Sequence, residues 1–130
     1  MDKTVLIVGA GSGLSASLAR LCASKEMKVV LAARNIEKLE DLKKEINAET
    51  YKCDSTDIES VKSLFEGIDK TIGTPNLVIY NPSARLKGSI TELDPKKTYE
   101  AINVTCFGAF LVAQEASRRM LERKSGSIFF

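Results

Sequence analysis

The 130-residue chain contains no histidine and no tryptophan, and only three cysteines. Without histidine, the Ser-His-Asp and Cys-His arrangements of nucleophilic catalysis are excluded, and so are most transition-metal sites, so we expect no metal centre. Cys22, Cys53 and Cys106 are odd in number, far apart and without a C-x-x-C pair, which excludes a disulfide framework and a thiolate zinc site. We expect them to be small buried hydrophobic residues.

Neither sign of charge dominates, since 19 basic and 17 acidic residues leave a net charge of +2. This balance argues against nucleic acid and against a membrane surface as partners. No apolar run approaches the length of a membrane span, and the N-terminus lacks the pattern of a secretory signal, so we predict a cytoplasmic protein. The composition is that of an ordinary globular protein, 44% apolar and 28% charged, and predicts a single domain over residues 1–130.

An apolar, strand-like run over residues 4–8 leads into a glycine cluster that opens a helix. Gly9, Gly11 and Gly13 permit positive φ and carry no Cβ, so a diphosphate can approach the backbone here. The following helix offers unpaired N–H groups and the positive end of its dipole to the phosphate charge. Leu14 stands where G-x-G-x-x-G requires its third glycine, so a ligand-free glycine turn is the alternative for these residues taken alone.

Arg34 directly follows a second apolar run, residues 29–33, where the second strand of a βαβ unit is expected to end. In dinucleotide-binding folds this position contacts the adenosine ribose. A carboxylate accepts hydrogen bonds from a free 2′-hydroxyl, whereas a guanidinium pairs bidentately with a 2′-phosphate. Arg34 therefore favours NADP(H) over NAD(H); the alternative is a solvated arginine at a helix start.

The rest of the chain alternates between helical and strand patterns. Helices are predicted over 36–46, over 58–72 and from Asp94 to about Arg123, and strands over 49–53, over 77–80 and from Gly126 onward. With right-handed crossovers this predicts an α/β, Rossmann-type doubly wound parallel sheet of strand order 3-2-1-4-5 with helices on both faces. A ligand of such a sheet binds beyond the strand C-terminal ends, between the first and fourth strands.

With these landmarks in order, the chain resembles the short-chain dehydrogenase/reductase family over essentially its full length. The family's T-G-x-x-x-G-x-G corresponds to residues 8–15, its acidic residue after the third strand to Asp54, and its N-N-A-G to residues 80–83. Its N-V-x-G/S matches at Asn103 and Val104, and the resemblance implies that Asn103 holds a water in a proton relay. The implied cofactor contacts are Gly9, Gly11, Ser12, Gly13, Leu14, Arg34, Asp54, Ser55, Asn81, Pro82, Ser83 and Val104.

Several positions depart from the family pattern. Ser15 replaces a glycine that allows close packing of helix on strand, which predicts either a first helix set farther out or a hydroxyl that meets the phosphate. Pro82 and Ser83 replace the alanine and glycine expected beside the nicotinamide ribose. No tyrosine of this sequence has a lysine four positions later. The family's catalytic serine lies beyond the fifth strand and its Y-x-x-x-K in the next helix, whereas the sequence ends at Phe130, within that strand. We therefore expect a truncated chain with little or no turnover by itself.

The leading hypothesis is thus the cofactor-binding half of an NADP(H)-dependent oxidoreductase acting on a small carbonyl or alcohol substrate. A non-catalytic dinucleotide-binding module is one alternative. A second alternative is an S-adenosylmethionine-dependent methyltransferase, because residues 5–13 also resemble the first motif of that family. That family, however, usually places a carboxylate at the position of Arg34. The exposed fifth strand and the apolar surface of the long helix predict a homo-oligomer.

Overall fold

Five parallel strands form the central sheet of the protein. They are β1 (Thr4–Val8), β2 (Lys28–Ala33), β3 (Glu49–Lys52), β4 (Leu77–Tyr80) and β5 (Ser127–Phe129), arranged in the order β3-β2-β1-β4-β5. The computed structural model describes residues 2–130. It confirms the predicted parallel sheet and its strand order.

The helices cover both faces of the sheet. They are α1 (Leu14–Ser24), α2 (Glu40–Ile46), α3 (Ile58–Thr71), α4 (Pro95–Ile102) and α5 (Gly108–Arg123), with a short 3₁₀ turn at Glu37–Leu39 before α2. Successive side chains of a strand point to opposite faces, so Leu6 packs with α3 and α5, whereas Val5 and Ile7 pack with α1 and α2. The apolar runs read from the sequence are therefore buried between two helical layers, as in doubly wound sheets.

The predicted long helix over 94–123 is wrong in one respect, because a π-helical turn at Asn103–Phe107 separates α4 from α5. The helix begins as predicted, since the Asp94 carboxylate accepts a hydrogen bond from the backbone N–H of Lys97 at 3.0 Å. At the turn, the hydroxyl of Tyr80 donates to the carbonyl of Val104. This hydrogen bond joins β4 to a backbone carbonyl of the π-helical turn. Local helix propensity cannot predict such a contact between distant residues.

One prediction about burial also needs correction. Cys22 and Cys53 are buried as expected, whereas Cys106 lies in the π-helical turn and is exposed. Within residues 2–130, no helix combines the length and the apolar character needed to cross a bilayer.

Candidate cofactor-binding site

The turn between β1 and α1 uses its glycines in two different ways. Only Gly9 has a positive φ, +82°, and a Cβ placed on it would lie 2.5 Å from the Pro82 nitrogen. A Cβ on Gly11 or Gly13 would meet no atom within 4 Å. Gly9 is therefore required by the packing of the turn, whereas Gly11 and Gly13 leave bare backbone facing open space.

The N-terminus of α1 lacks a side-chain cap. Gly13 occupies the N-cap position, and no acidic residue lies in the first turn. The first N–H groups of a helix need partners from outside the helix, and anions are favoured there by the helix dipole. Together with the open backbone at Gly11, this end of α1 has the features of an anion-binding corner.

Ser15, the residue that replaces a family glycine, faces the protein interior. Its hydroxyl donates to the Gly9 carbonyl at 3.2 Å and accepts a hydrogen bond from Nδ2 of Asn81 at 2.8 Å. The side chain is therefore committed to two protein atoms rather than directed outward from the first turn of α1. The possibility that this hydroxyl meets a phosphate stays a prediction, and in the ligand-free structure its proton is donated to the Gly9 carbonyl.

A cleft of about 1030 Å³ opens along the carboxyl ends of the strands. Of the residues implicated by the sequence, it is lined by Gly9, Arg34, Asp54, Ser55, Asn81, Pro82, Ser83, Asn103 and Val104. The structure thus brings together residues that follow four different strands and the π-helical turn. Gly11, Ser12, Gly13 and Leu14 do not line this cleft and lie in the adjoining turn and at the start of α1. The sequence analysis missed Asn35, Lys38, Leu86, Lys97, Glu100 and Ala101, which also line it.

Basic side chains surround the end of β2. Arg34 lines the main cleft together with Lys38. It also lines a neighbouring hollow of about 350 Å³ together with Lys52. Within residues 2–130, no carboxylate lies within 4 Å of the charged nitrogens of these three side chains. Lys38 follows Arg34 by four positions, and the sheet register pairs Lys52 with Ala33, so strand pairing is the signal that could have identified Lys52.

Asp54 follows β3 and is held as a carboxylate. Its Oδ1 accepts hydrogen bonds from the hydroxyl of Thr56 at 2.7 Å and from the backbone N–H of Thr56 at 3.0 Å. These bonds stabilise the charged form and lower the pKa of Asp54 below its ordinary value, with a smaller contribution from the positive charge of Arg34. An ionised acceptor therefore stands at the β3 end of the cleft.

The hydroxyl of Ser55 is used inside the protein. It lies 3.1 Å from the hydroxyl of Tyr80, whose single proton is already donated to the Val104 carbonyl, so Ser55 is the donor of this pair. Burial raises the pKa of Tyr80 above its ordinary value and keeps the phenol protonated. Ser55 thus supports the wall of the cleft, and its hydroxyl proton is donated to Tyr80.

The loop after β4 is tied to the π-helical turn. The Thr105 hydroxyl accepts from the backbone N–H of Ala84 at 3.3 Å and lies 3.4 Å from the Ala84 carbonyl. Asn103, in the same turn, is half-buried and lines the cleft. The turn is therefore tied to the loop after β4 through Thr105 and to β4 through the Val104 carbonyl, and Asn103 directly precedes these two contacts in the chain.

The family follows from comparison with known proteins. A model of short chain dehydrogenases matches residues 3–130. The chain belongs to the short-chain dehydrogenase family. Among its relatives, an uncharacterised oxidoreductase of Staphylococcus aureus strain USA300 is 33% identical over 98% of this chain and 56% of its own length. An uncharacterised oxidoreductase of Caenorhabditis elegans is 28% identical over 96% of this chain and 42% of its own length.

Solved structures of short-chain dehydrogenases share this architecture. One from Streptomyces avermitilis has a TM-score of 0.93 and 25% identity over 98% of this chain and 48% of the other. A variant of actinorhodin polyketide ketoreductase, crystallised with NADPH, has a TM-score of 0.93 and 24% identity over 98% of this chain and 51% of the other. The latter likeness is one of fold. The chain therefore spans about half the length of these relatives and solved structures.

Proposed function

We propose that this chain forms the coenzyme-binding part of an NADP(H)-dependent oxidoreductase. The observation that carries the proposal combines the bare backbone of the β1–α1 turn, which adjoins the cleft, with Arg34 at the end of β2. In residues 2–130 no carboxylate lies within 4 Å of the Arg34 guanidinium. Bare amides suit a diphosphate, and a free guanidinium suits a 2′-phosphate. β1 and β2 are adjacent strands, so both contacts can belong to one dinucleotide that continues across the switch point between β1 and β4.

The residues present fit such a coenzyme. Gly11 and Gly13 leave space where any side chain would intrude, and the uncapped start of α1 favours negative charge. We assign Arg34 to the 2′-phosphate, with Lys38 and Lys52 adding positive charge around it. The ionised Asp54 supplies an acceptor for the adenine amino group, as the family resemblance implies.

The nicotinamide half is then assigned to the β4 side of the cleft, along Asn81, Pro82 and Ser83, with Val104 on the facing wall. When bound, the coenzyme supplies or accepts the hydride exchanged with a small carbonyl or alcohol substrate. We assign Asn103 to a proton relay, in which its amide holds a water inside the cleft. This role rests on the family resemblance and on the placement of Asn103 at the cleft wall.

We further propose a cytoplasmic homo-oligomer. Tyr99, Ile102, Phe107 and Phe110 expose apolar surface along α4, the π-helical turn and the start of α5, and the two phenylalanine rings stack with centroids 6.1 Å apart. A run of large exposed apolar side chains marks an association surface more often than a solvated one.

Calorimetric titration of the purified chain with NADPH, NADH and S-adenosylmethionine tests the coenzyme assignment. We expect saturable binding of NADPH that is at least about tenfold tighter than that of NADH, because Arg34 gains a charge-assisted contact only with the former. Equal affinities for the two nicotinamide coenzymes would remove the assignment of Arg34. Binding of S-adenosylmethionine alone would replace the proposed function by a methyltransferase.

A further inference from the structure

The bond between Ser15 and Asn81 joins the two loops that flank the cleft. Ser15 belongs to the first turn of α1 and is only 2% exposed, and Asn81 is the first residue after β4. Nδ2 of Asn81 donates to the Ser15 hydroxyl at 2.8 Å, and that hydroxyl donates to the Gly9 carbonyl at 3.2 Å. One buried hydroxyl therefore connects the glycine turn, α1 and the loop after β4.

The Ser15–Asn81 bond lies at the point where β4 ends. The backbone N–H of Asn81 donates to the Val8 carbonyl at 2.9 Å, which ends the pairing of β4 with β1. Beyond this point, Pro82 has no N–H to donate, so the sheet ladder cannot continue through it. The Ser15 bond is thus a side-chain tie at the place where the regular backbone pairing stops.

We propose that Ser15 is a positioning residue that fixes the nicotinamide side of the cleft. The proposal rests on the proposed function. If Arg34 marks the 2′-phosphate end at β2, the order β2-β1-β4 places the other half of the coenzyme along Asn81 and the residues that follow. Loss of the Ser15 hydroxyl frees the Asn81 amide and loosens this wall, whereas in residues 2–130 the Ser15 side chain makes no hydrogen bond to the β2 or β3 end of the cleft.

The test compares a whole coenzyme with its adenosine half. Ser15→Ala is titrated with NADPH and with adenosine 2′,5′-bisphosphate, which carries the 2′-phosphate but no nicotinamide half. We expect about a fivefold loss of affinity for NADPH, the size of one hydrogen bond, and less than about a twofold change for the bisphosphate. Ser15→Gly introduces the glycine that the family motif has at this position. It is expected to change the affinities for NADPH and for the bisphosphate by the same factors as Ser15→Ala.

Ser17→Ala is the matched control, because Ser17 lies exposed on the same helix. It is expected to change neither affinity. An equal loss of affinity for NADPH and for the bisphosphate in Ser15→Ala would show a merely structural role and overturn the proposal. Unchanged affinity for NADPH would overturn it as well.

A second measurement separates this proposal from the proposed function. Amide hydrogen exchange of the ligand-free Ser15→Ala chain is expected to accelerate in residues 9–13 and 81–86 and to stay unchanged in β2 and β3. If the unsubstituted chain binds neither NADPH nor the bisphosphate, the proposed function fails while this exchange pattern still decides whether Ser15 ties the two loops. Acceleration spread over the whole chain, or none at all, would refute the tie.

Discussion

Gly9 and Pro82 are in such close contact that a Cβ on Gly9 would lie 2.5 Å from the Pro82 nitrogen. The backbone of Gly9 also has a φ of +82°, which L-residues rarely adopt. Gly11, two positions later in the same motif, has open space where its Cβ would be and no positive φ. One glycine is therefore needed for folding, and the other is available to approach a ligand.

We expect Gly9→Ala to lower the free energy of unfolding by about 3 kcal/mol or more, because strain at positive φ and a clash with backbone atoms act together. Urea denaturation followed by circular dichroism measures the loss. A change below about 0.5 kcal/mol, the size of an ordinary surface substitution, would show that the turn and Pro82 move apart at little cost.

Gly11→Ala is expected to leave stability unchanged and to weaken coenzyme binding. Its free energy of unfolding should stay within about 0.5 kcal/mol of the unsubstituted chain, since the added methyl meets nothing. The methyl would, however, stand between the backbone and a diphosphate, so NADPH affinity should fall by about tenfold or more. Denaturation and calorimetric titration of the same preparation check both parts, and an unchanged affinity would place the diphosphate elsewhere.

The sequence predicted most of the fold because the signals that define it are local. Alternating strand and helix patterns fix the element order, and the right-handed crossover then leaves the observed sheet order as the simplest arrangement. The Asp94-Pro95 start of α4 is likewise encoded by adjacent residues, the cap and a proline at the first helical position. Residues that follow strands, such as Arg34 and Asp54, could be assigned to the cleft for the same reason.

What the sequence could not predict depends on contacts between distant residues. The π-helical turn lies where Tyr80 from β4 reaches the Val104 carbonyl, and Gly108 leaves room for that hydroxyl, since a Cβ there would be 2.3 Å from it. Ser15 could not be assigned for the same reason, because its partner Asn81 is 66 positions away. Motif position alone therefore left two possibilities for Ser15, a first helix set farther out or a hydroxyl that meets the phosphate, and could not indicate its bond to Asn81.

Arg34→Asp tests the coenzyme preference. It should weaken NADPH by about 1 to 3 kcal/mol, or roughly 5- to 150-fold, because a charge-assisted bond is lost and a like charge faces the 2′-phosphate. NADH, which carries no such phosphate, should change far less. Lys3→Asp makes the same change of charge in the exposed segment before β1, away from the residues of the cleft, and should affect neither coenzyme. Equal weakening of both coenzymes by Arg34→Asp would contradict the assignment.

Self-association is tested by Phe110→Ser. Phe110 is exposed on α5 and stacks with Phe107, so its replacement should shift sedimentation velocity profiles towards the monomer and leave the fold intact. Leu21→Ser, which removes a comparably exposed apolar side chain from α1, is the control and should leave the sedimentation profile unchanged. Equal shifts from both variants would mean that association does not use the α4–α5 surface.

Tyr80→Phe removes the hydroxyl that connects Ser55 to the Val104 carbonyl while it keeps the ring in the core. We expect the free energy of unfolding at neutral pH to fall by about 1 to 3 kcal/mol, because a partly buried carbonyl and a buried hydroxyl lose their partner. Tyr99→Phe is the matched control, since Tyr99 is 66% exposed, and should cost less than about 0.5 kcal/mol.

The pH dependence of this difference follows from the pKa of Tyr80, which burial raises above its ordinary value of 10.0. Above pH 10 the unfolded chain loses the phenolic proton while the folded chain retains it, so the unfolded state binds fewer protons and stability falls as pH rises. The contribution of Tyr80 is therefore complete below pH 10 and is lost as pH climbs through the raised pKa. Tyr80→Phe has no phenolic proton and does not lose stability in this way. In urea titrations above pH 10, its free energy of unfolding should therefore converge with that of the unsubstituted chain. A constant difference across that range would show that the phenol titrates normally.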